Sequence, residues 1–168
     1  MKRIAMFLMA CLLCAGILVV APPEASAAVQ EIPMVECERI NRSNEDGHYA
    51  DVVVGKWDCK AGRLADSIRF CVANKKSYKN THYCSYRLRG EYDTLSGIVS
   101  FSPKSDRFAT AQVKIYYDNE LAFDSGLISE RSEDVPFSID VSDVEVVRVV
   151  CSTPDRGSAY CVVSATVS

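Results

Sequence analysis

Trp57, Tyr78 and Tyr160 are aromatic residues that stand near groups able to bond hydroxyls. Asn80 and His82 follow Tyr78, and Asp155 and Arg156 precede Tyr160. An aromatic face stacks on the apolar side of a sugar ring, while carboxylates, amides and guanidinium groups bond its hydroxyls. Trp57, Tyr78, Asn80, His82, Asp155, Arg156 and Tyr160 are therefore the candidate ligand-binding set, most of them in stretches that read as loops. Trp57 is the single tryptophan and can equally be core. Tyr83 and Tyr160 adjoin cysteines, which favours packing over stacking.

Catalytic patterns are missing from the sequence. There is no Gly-x-Ser-x-Gly elbow, no His-Glu-x-x-His and no glycine-rich phosphate loop, and His48 and His82, the two histidines, read as residues of solvated loops. The expectation is a binding domain rather than an enzyme. Asp106, Asp118 and Asp124 are the carboxylates from which a structural calcium site is expected if there is one, although their spacing matches no recognised calcium loop. No other cofactor is implied.

The chain opens with Lys2-Arg3, an apolar run and then Ala25-Ser26-Ala27, the pattern of a cleaved secretory signal peptide over residues 1–27. Residues 28–168 are expected to form one exported domain, secreted or held at the cell envelope, with no membrane span in the mature form. The net charge of −3 and the lack of a basic cluster argue against a nucleic-acid partner. Of the eight cysteines, Cys11 and Cys14 fall in the leader. Cys37, Cys59, Cys71, Cys84, Cys151 and Cys161 remain, an even set that reads as three disulfides in an oxidising compartment. Pairing neighbours along the chain gives Cys37–Cys59, Cys71–Cys84 and Cys151–Cys161, the last across two adjacent strands around a turn-rich loop.

The elements that must position these groups are strands. Val113, Ile115 and Tyr117 alternate with Lys114 and Tyr116, Asp118-Asn119 interrupts, and Leu121 and Phe123 resume the alternation. This predicts a β-hairpin over residues 113–125 whose turn residues tolerate positive φ. Further strands are expected around residues 28–37, 49–59, 67–72, 83–88, 95–101, 137–141, 144–150 and 160–167, separated by turn-rich loops. No stretch has a capped helical period. The fold class is all-β, a β-sandwich or jelly roll.

Tyr86, Leu88, Gly90 and Tyr92, then Leu95, Gly97 and Val99, then the Asp118-Asn119 turn, Ser125-Gly126, and Ile139-Asp140-Val141-Ser142-Asp143 form an ordered set. Together they resemble the NPCBM-like family of carbohydrate-binding modules. The resemblance implies a galactose-binding-like jelly roll of a kind common in secreted bacterial proteins, with ligands taken by loops at one end of the sandwich. It implies a glycan or another extracellular surface polymer as partner. A protein-interaction domain, adhesin-like or inhibitory, on the same fold is the alternative. In Gly157-Ser158-Ala159-Tyr160-Cys161 the chain departs from the family, which often has an acidic segment with histidine and tryptophan there. On this reading the hairpin is scaffold, and the binding end lies in the loops at residues 74–82 and 153–159.

Overall fold

In the computed structural model, which describes residues 29–43, 52–73, 80–155 and 157–168, Asp118 and Asn119 take φ of 44° and 75°. They form the two-residue turn that joins β7 (Thr110–Tyr117) to β8 (Glu120–Ser129). The expected leader, His48, Tyr78 and Arg156 lie outside the described residues. The other strands are β1 (Ile32–Pro33), β2 (Glu38–Arg42), β3 (Val52–Cys59), β4 (Gly62–Ala73), β5 (Thr81–Arg87), β6 (Thr94–Phe101), β9 (Val135–Asp140), β10 (Val146–Ser152) and β11 (Ser158–Val167). The helical content among the described residues is one short 3-10 turn, Met34–Glu36.

The strands form two antiparallel sheets. One runs β3-β4-β11-β6-β9 with β1 added to β11, and the other runs β2-β5-β10-β7-β8. Alternation sets the faces. Ile68, Phe70 and Val72 of β4 and Val163 and Val167 of β11 point inward from the first sheet. Cys84 and Tyr86 of β5, Val147 and Val149 of β10, and Val113 and Ile115 of β7 point inward from the second. These residues merge into one core. Strand β2 was not expected from the sequence. Its residues Glu38-Arg39-Ile40-Asn41-Arg42 carry three charges and no apolar alternation, a composition suited to an edge strand that must not recruit another chain.

The three expected disulfides are not formed here: among the described residues no two cysteines stand at disulfide distance. Cys37 sits beside Tyr92 and Glu91, just before β6, whereas Cys59 precedes Lys60, whose N–H donates to the Phe101 carbonyl at the far end of β6. A strand of that length separates them by about 20 Å, so Cys37–Cys59 does not fit. Cys71 and Cys84 do not fit either. Cys71 lies opposite Tyr160 on the outer face of the first sheet, while Cys84 is buried in the core from the second. Cys151 and Cys161 are both buried in the core, close enough for Cys161 to help raise the Cys151 thiol. They stand in opposing sheets, on β10 and β11, rather than on adjacent strands. Burial pushes the Cys151 thiol well above its ordinary value.

Gly97 shows how tightly the first sheet closes. It lies between Ala165 of β11 and Phe137 of β9. A Cβ at this position would sit 2.2 Å from the Ser164 carbonyl oxygen and 2.9 Å from the Phe137 ring. The carbonyl is backbone and cannot turn aside. Gly97→Ala is expected to lower stability by roughly 2–3 kcal/mol, read as a lower urea midpoint, and an unchanged midpoint would refute this packing.

Candidate functional site

The register of the second sheet assembles a polar row on its outer face from four separate stretches of sequence. Asn41 of β2 pairs with Ser85 of β5, Ser85 pairs with Arg148 of β10, and Arg148 pairs with Tyr116 of β7. The inward neighbours Ile115, Val147 and Val149 are fully buried, which leaves Tyr116 and Arg148 no choice but to face out. At one end of the row the hairpin turn brings Asp118 and Asn119 alongside. Ile40, Arg87 and Val146 complete a cleft of about 410 Å³. A smaller hollow of about 290 Å³ between Tyr116, Asn119, Arg148 and Val150 adjoins it.

Hydrogen bonds hold the walls. The Asp118 carboxylate accepts from the Glu145 N–H at 3.2 Å and the Val146 N–H at 3.0 Å. The Asp118 N–H donates to the Val146 carbonyl at 3.0 Å. The hairpin tip is thereby latched to the start of β10. Arg87 meets Glu38 at 3.0 Å and Glu145 at 3.5 Å, and Arg89 meets Glu38 at 2.6 Å. The hydrogen bond from Arg89, with the charge of Arg87 beside it, holds the Glu38 carboxyl below its ordinary value. In the row itself the Arg148 Nε donates to Ser85 Oγ at 3.3 Å, and its guanidinium carbon lies 5.5 Å from the Tyr83 ring centroid. The Asn41 Oδ1 is buried without a hydrogen-bond partner among the described residues, the kind of group that water or a ligand satisfies.

An aromatic ring, two amides and a guanidinium thus face one concavity. Such a set can stack on a sugar and bond its hydroxyls.

The nominated residues that fall among the described ones, Trp57, Asn80, His82, Asp155 and Tyr160, do not line this cleft. Trp57 and Tyr160 come together on the outer face of the first sheet, on either side of Arg69. The Arg69 guanidinium carbon lies 3.8 Å from the Trp57 ring centroid and 5.6 Å from that of Tyr160. Trp57 donates its indole N–H to the Val53 carbonyl at 3.1 Å and lies against Gly55. Its ring is engaged by the protein. Asp155 clamps the β10–β11 loop onto β7, accepting from the Thr110 N–H at 2.7 Å and from the Thr110 hydroxyl. His82 is a correction: it is buried in β5, not on a solvated loop, with Nδ1 3.0 Å from the Ser43 hydroxyl. Asn80 is exposed, and its carbonyl accepts from the Thr153 N–H.

The three aspartates weighed for calcium do not converge. Asp106 accepts from the Ser158 N–H, Asp118 from the amides of Glu145 and Val146, and Asp124 from the Gly126 N–H and the Gln112 amide. No group of three or more candidate metal ligands occurs among the described residues.

The cleft residues Tyr116, Asn119, Arg148 and Asn41 were not nominated because strand register alone joins them. The usable signal was the outward phase of Tyr116 in the hairpin.

Residues 78–163 match the family model of the NPCBM/NEW2 domain. No curated protein sequence matches the chain. Among solved structures, it is similar to a CBM51 from Clostridium perfringens GH95 in complex with methyl-galactose. The identity is 17% and the TM-score 0.60, covering 83% of this chain and 100% of that one. It is also similar to a Clostridium perfringens ZmpB structure of CBM51-2 in complex with GlcNAc, together with INT domains. There the identity is 14% and the TM-score 0.62, covering 82% of this chain and 31% of that one. At these identities the likeness is one of fold, and it confirms the two-sheet sandwich.

The latch at the cleft makes its own prediction. Asp118→Asn keeps a side chain that tolerates the positive φ but leaves one acceptor where there were two, and Asp118→Ala leaves none. Hydrogen exchange at the amides of Glu145 and Val146 is expected to speed up in that order, with a stability loss of about 1–2 kcal/mol for the alanine variant. Equal exchange in all three proteins would show that the latch does not hold the turn.

Proposed function

The chain belongs to the NPCBM/NEW2 domain family through residues 78–163, and from that premise we propose that it is a non-catalytic carbohydrate-binding module holding its glycan in the cleft beside Tyr116. One observation carries the reading. The cleft is a concavity with a partly exposed aromatic ring at its wall, amides from Asn41 and Asn119, and a guanidinium from Arg148. Relatives of the same fold were solved with methyl-galactose and with GlcNAc, which supports a saccharide as ligand class. The Trp57–Arg69–Tyr160 ladder on the opposite sheet is scaffold in this reading, because Arg69 covers a face of the indole and Val53 takes its N–H.

The protein works outside the cell, exported by cleavage of residues 1–27. No helix among the described residues is long and apolar enough to cross a membrane. In that oxidising setting Cys151 and Cys161 form a disulfide between the two sheets. Two thiols give up two protons and two electrons to oxygen or to a disulfide-bearing oxidant. Their shared burial in the core, where Cys161 helps raise the Cys151 thiol, supports this pair above the other two. Both thiols are fully buried, and the raised value of Cys151 keeps thiolate scarce, so oxidation accompanies folding rather than following it.

Two measurements check these proposals. Tyr116→Ala and Asn119→Ala are each expected to weaken glycan retention on an array by about tenfold, a loss of about 1–2 kcal/mol, with the urea midpoint nearly unchanged. Full retention by both variants would remove the cleft as the site. Non-reducing peptide mapping of the exported protein is expected to recover Cys151 linked to Cys161. Recovery of both as alkylated thiols after denaturation without reductant would overturn the bond.

A further inference from the structure

We propose that the cleft selects an acidic saccharide, whose carboxylate pairs with Arg148; this rests on the glycan-binding reading above and adds the ligand's charge to it. The other charged residues that line the cleft, Arg87 and Asp118, already have partners, and so does Lys114 beside it. Arg87 is held between Glu38 and Glu145. Lys114, the next outward residue along β7, lies 3.6 Å from Asp124. Asp118 has its carboxylate directed to the amides of Glu145 and Val146. Arg148 is the exception: it is exposed on the row and makes no ion pair among the described residues.

The guanidinium is also oriented. Its Nε is bonded to Ser85 Oγ at 3.3 Å and it lies over the Tyr83 ring, which restrains the side chain before any ligand arrives. The two terminal nitrogens have no hydrogen-bond partner among the described residues. Their parallel N–H groups match the two oxygens of a carboxylate, a geometry that an ammonium cannot reproduce. Tyr116 stands directly across the strand pair from Arg148. A sugar ring stacked on Tyr116 would therefore carry its carboxylate within reach of the arginine. Carboxylate and tetrahedral oxyanion oxygens can both take this end-on pair; the class expected is the carboxylate of a uronic or sialic acid unit, and the sulfated arm of the test decides against it or for it.

The test is an array of acidic glycans printed beside their carboxyl-reduced and sulfated counterparts, probed with the wild type, Arg148→Gln and Arg148→Lys. Wild type is expected to retain the carboxylated member of a pair at least tenfold better than the reduced one. Arg148→Gln should lose that preference while keeping residual binding to the neutral partner, and Arg148→Lys should recover only part of it. Raising the salt concentration should weaken only the carboxylated arm. Equal retention of carboxylated and reduced partners, or a preference for sulfate, overturns the acidic selection and leaves the glycan-binding reading standing. Retention of no glycan on either arm overturns both.

Discussion

Strand β10 lies between β5 and β7, and its inner residues Val147, Val149 and Cys151 are fully buried. That burial is the constraint on which the outer face depends. With a period of two, fixing these residues inward fixes Arg148 and Val150 outward, and pairing on both sides then sets their neighbours. A slip of one residue would drive the Arg148 guanidinium into the core and expose two valines, a change far more costly than any single surface contact. The proposed site therefore inherits its geometry from the hydrophobic core. The Asp118 latch adds the last restraint by tying the β7–β8 turn to the start of β10.

Two arginines on opposite faces show how surroundings divide similar chemistry. Arg69 lies against the indole of Trp57 near the Tyr160 ring, and its Nε is buried. It is part of a packed cross-strand ladder over β3, β4 and β11. Arg148 also lies over a tyrosine, but it is exposed beside a cleft with its terminal nitrogens open. The first arrangement consolidates a sheet. The second presents a charge.

Much of the fold was legible in the sequence. The Asp118-Asn119 turn, the alternation on either side of it and the ordered set from Tyr86 to Asp143 pointed to the sandwich and to the family that the chain proves to belong to. Gly97, one member of that set, sits where a Cβ would strike a backbone carbonyl, so its appearance there has a steric cause. Strand β2 escaped notice because an edge strand needs no apolar alternation. His82 was misplaced because a polar residue at the start of β5 reads as loop, and only its contact with Ser43 explains its burial. Beyond the outward phase of Tyr116, the cleft could not be read. Asn41, Ser85, Tyr116 and Arg148 are scattered along the chain and become neighbours only through register. Cys151 and Cys161 were paired by nearness in sequence, yet they come close because two sheets face each other.

The central claim is that the glycan lies on the outer face of the second sheet. Amide chemical-shift mapping of the full domain during titration with an array-positive oligosaccharide tests it directly. The account predicts shifts clustered at Ser85, Tyr116, Asn119 and Arg148. Shifts confined to Asn80, Asp155 and Gly157, with the cleft silent, would contradict it.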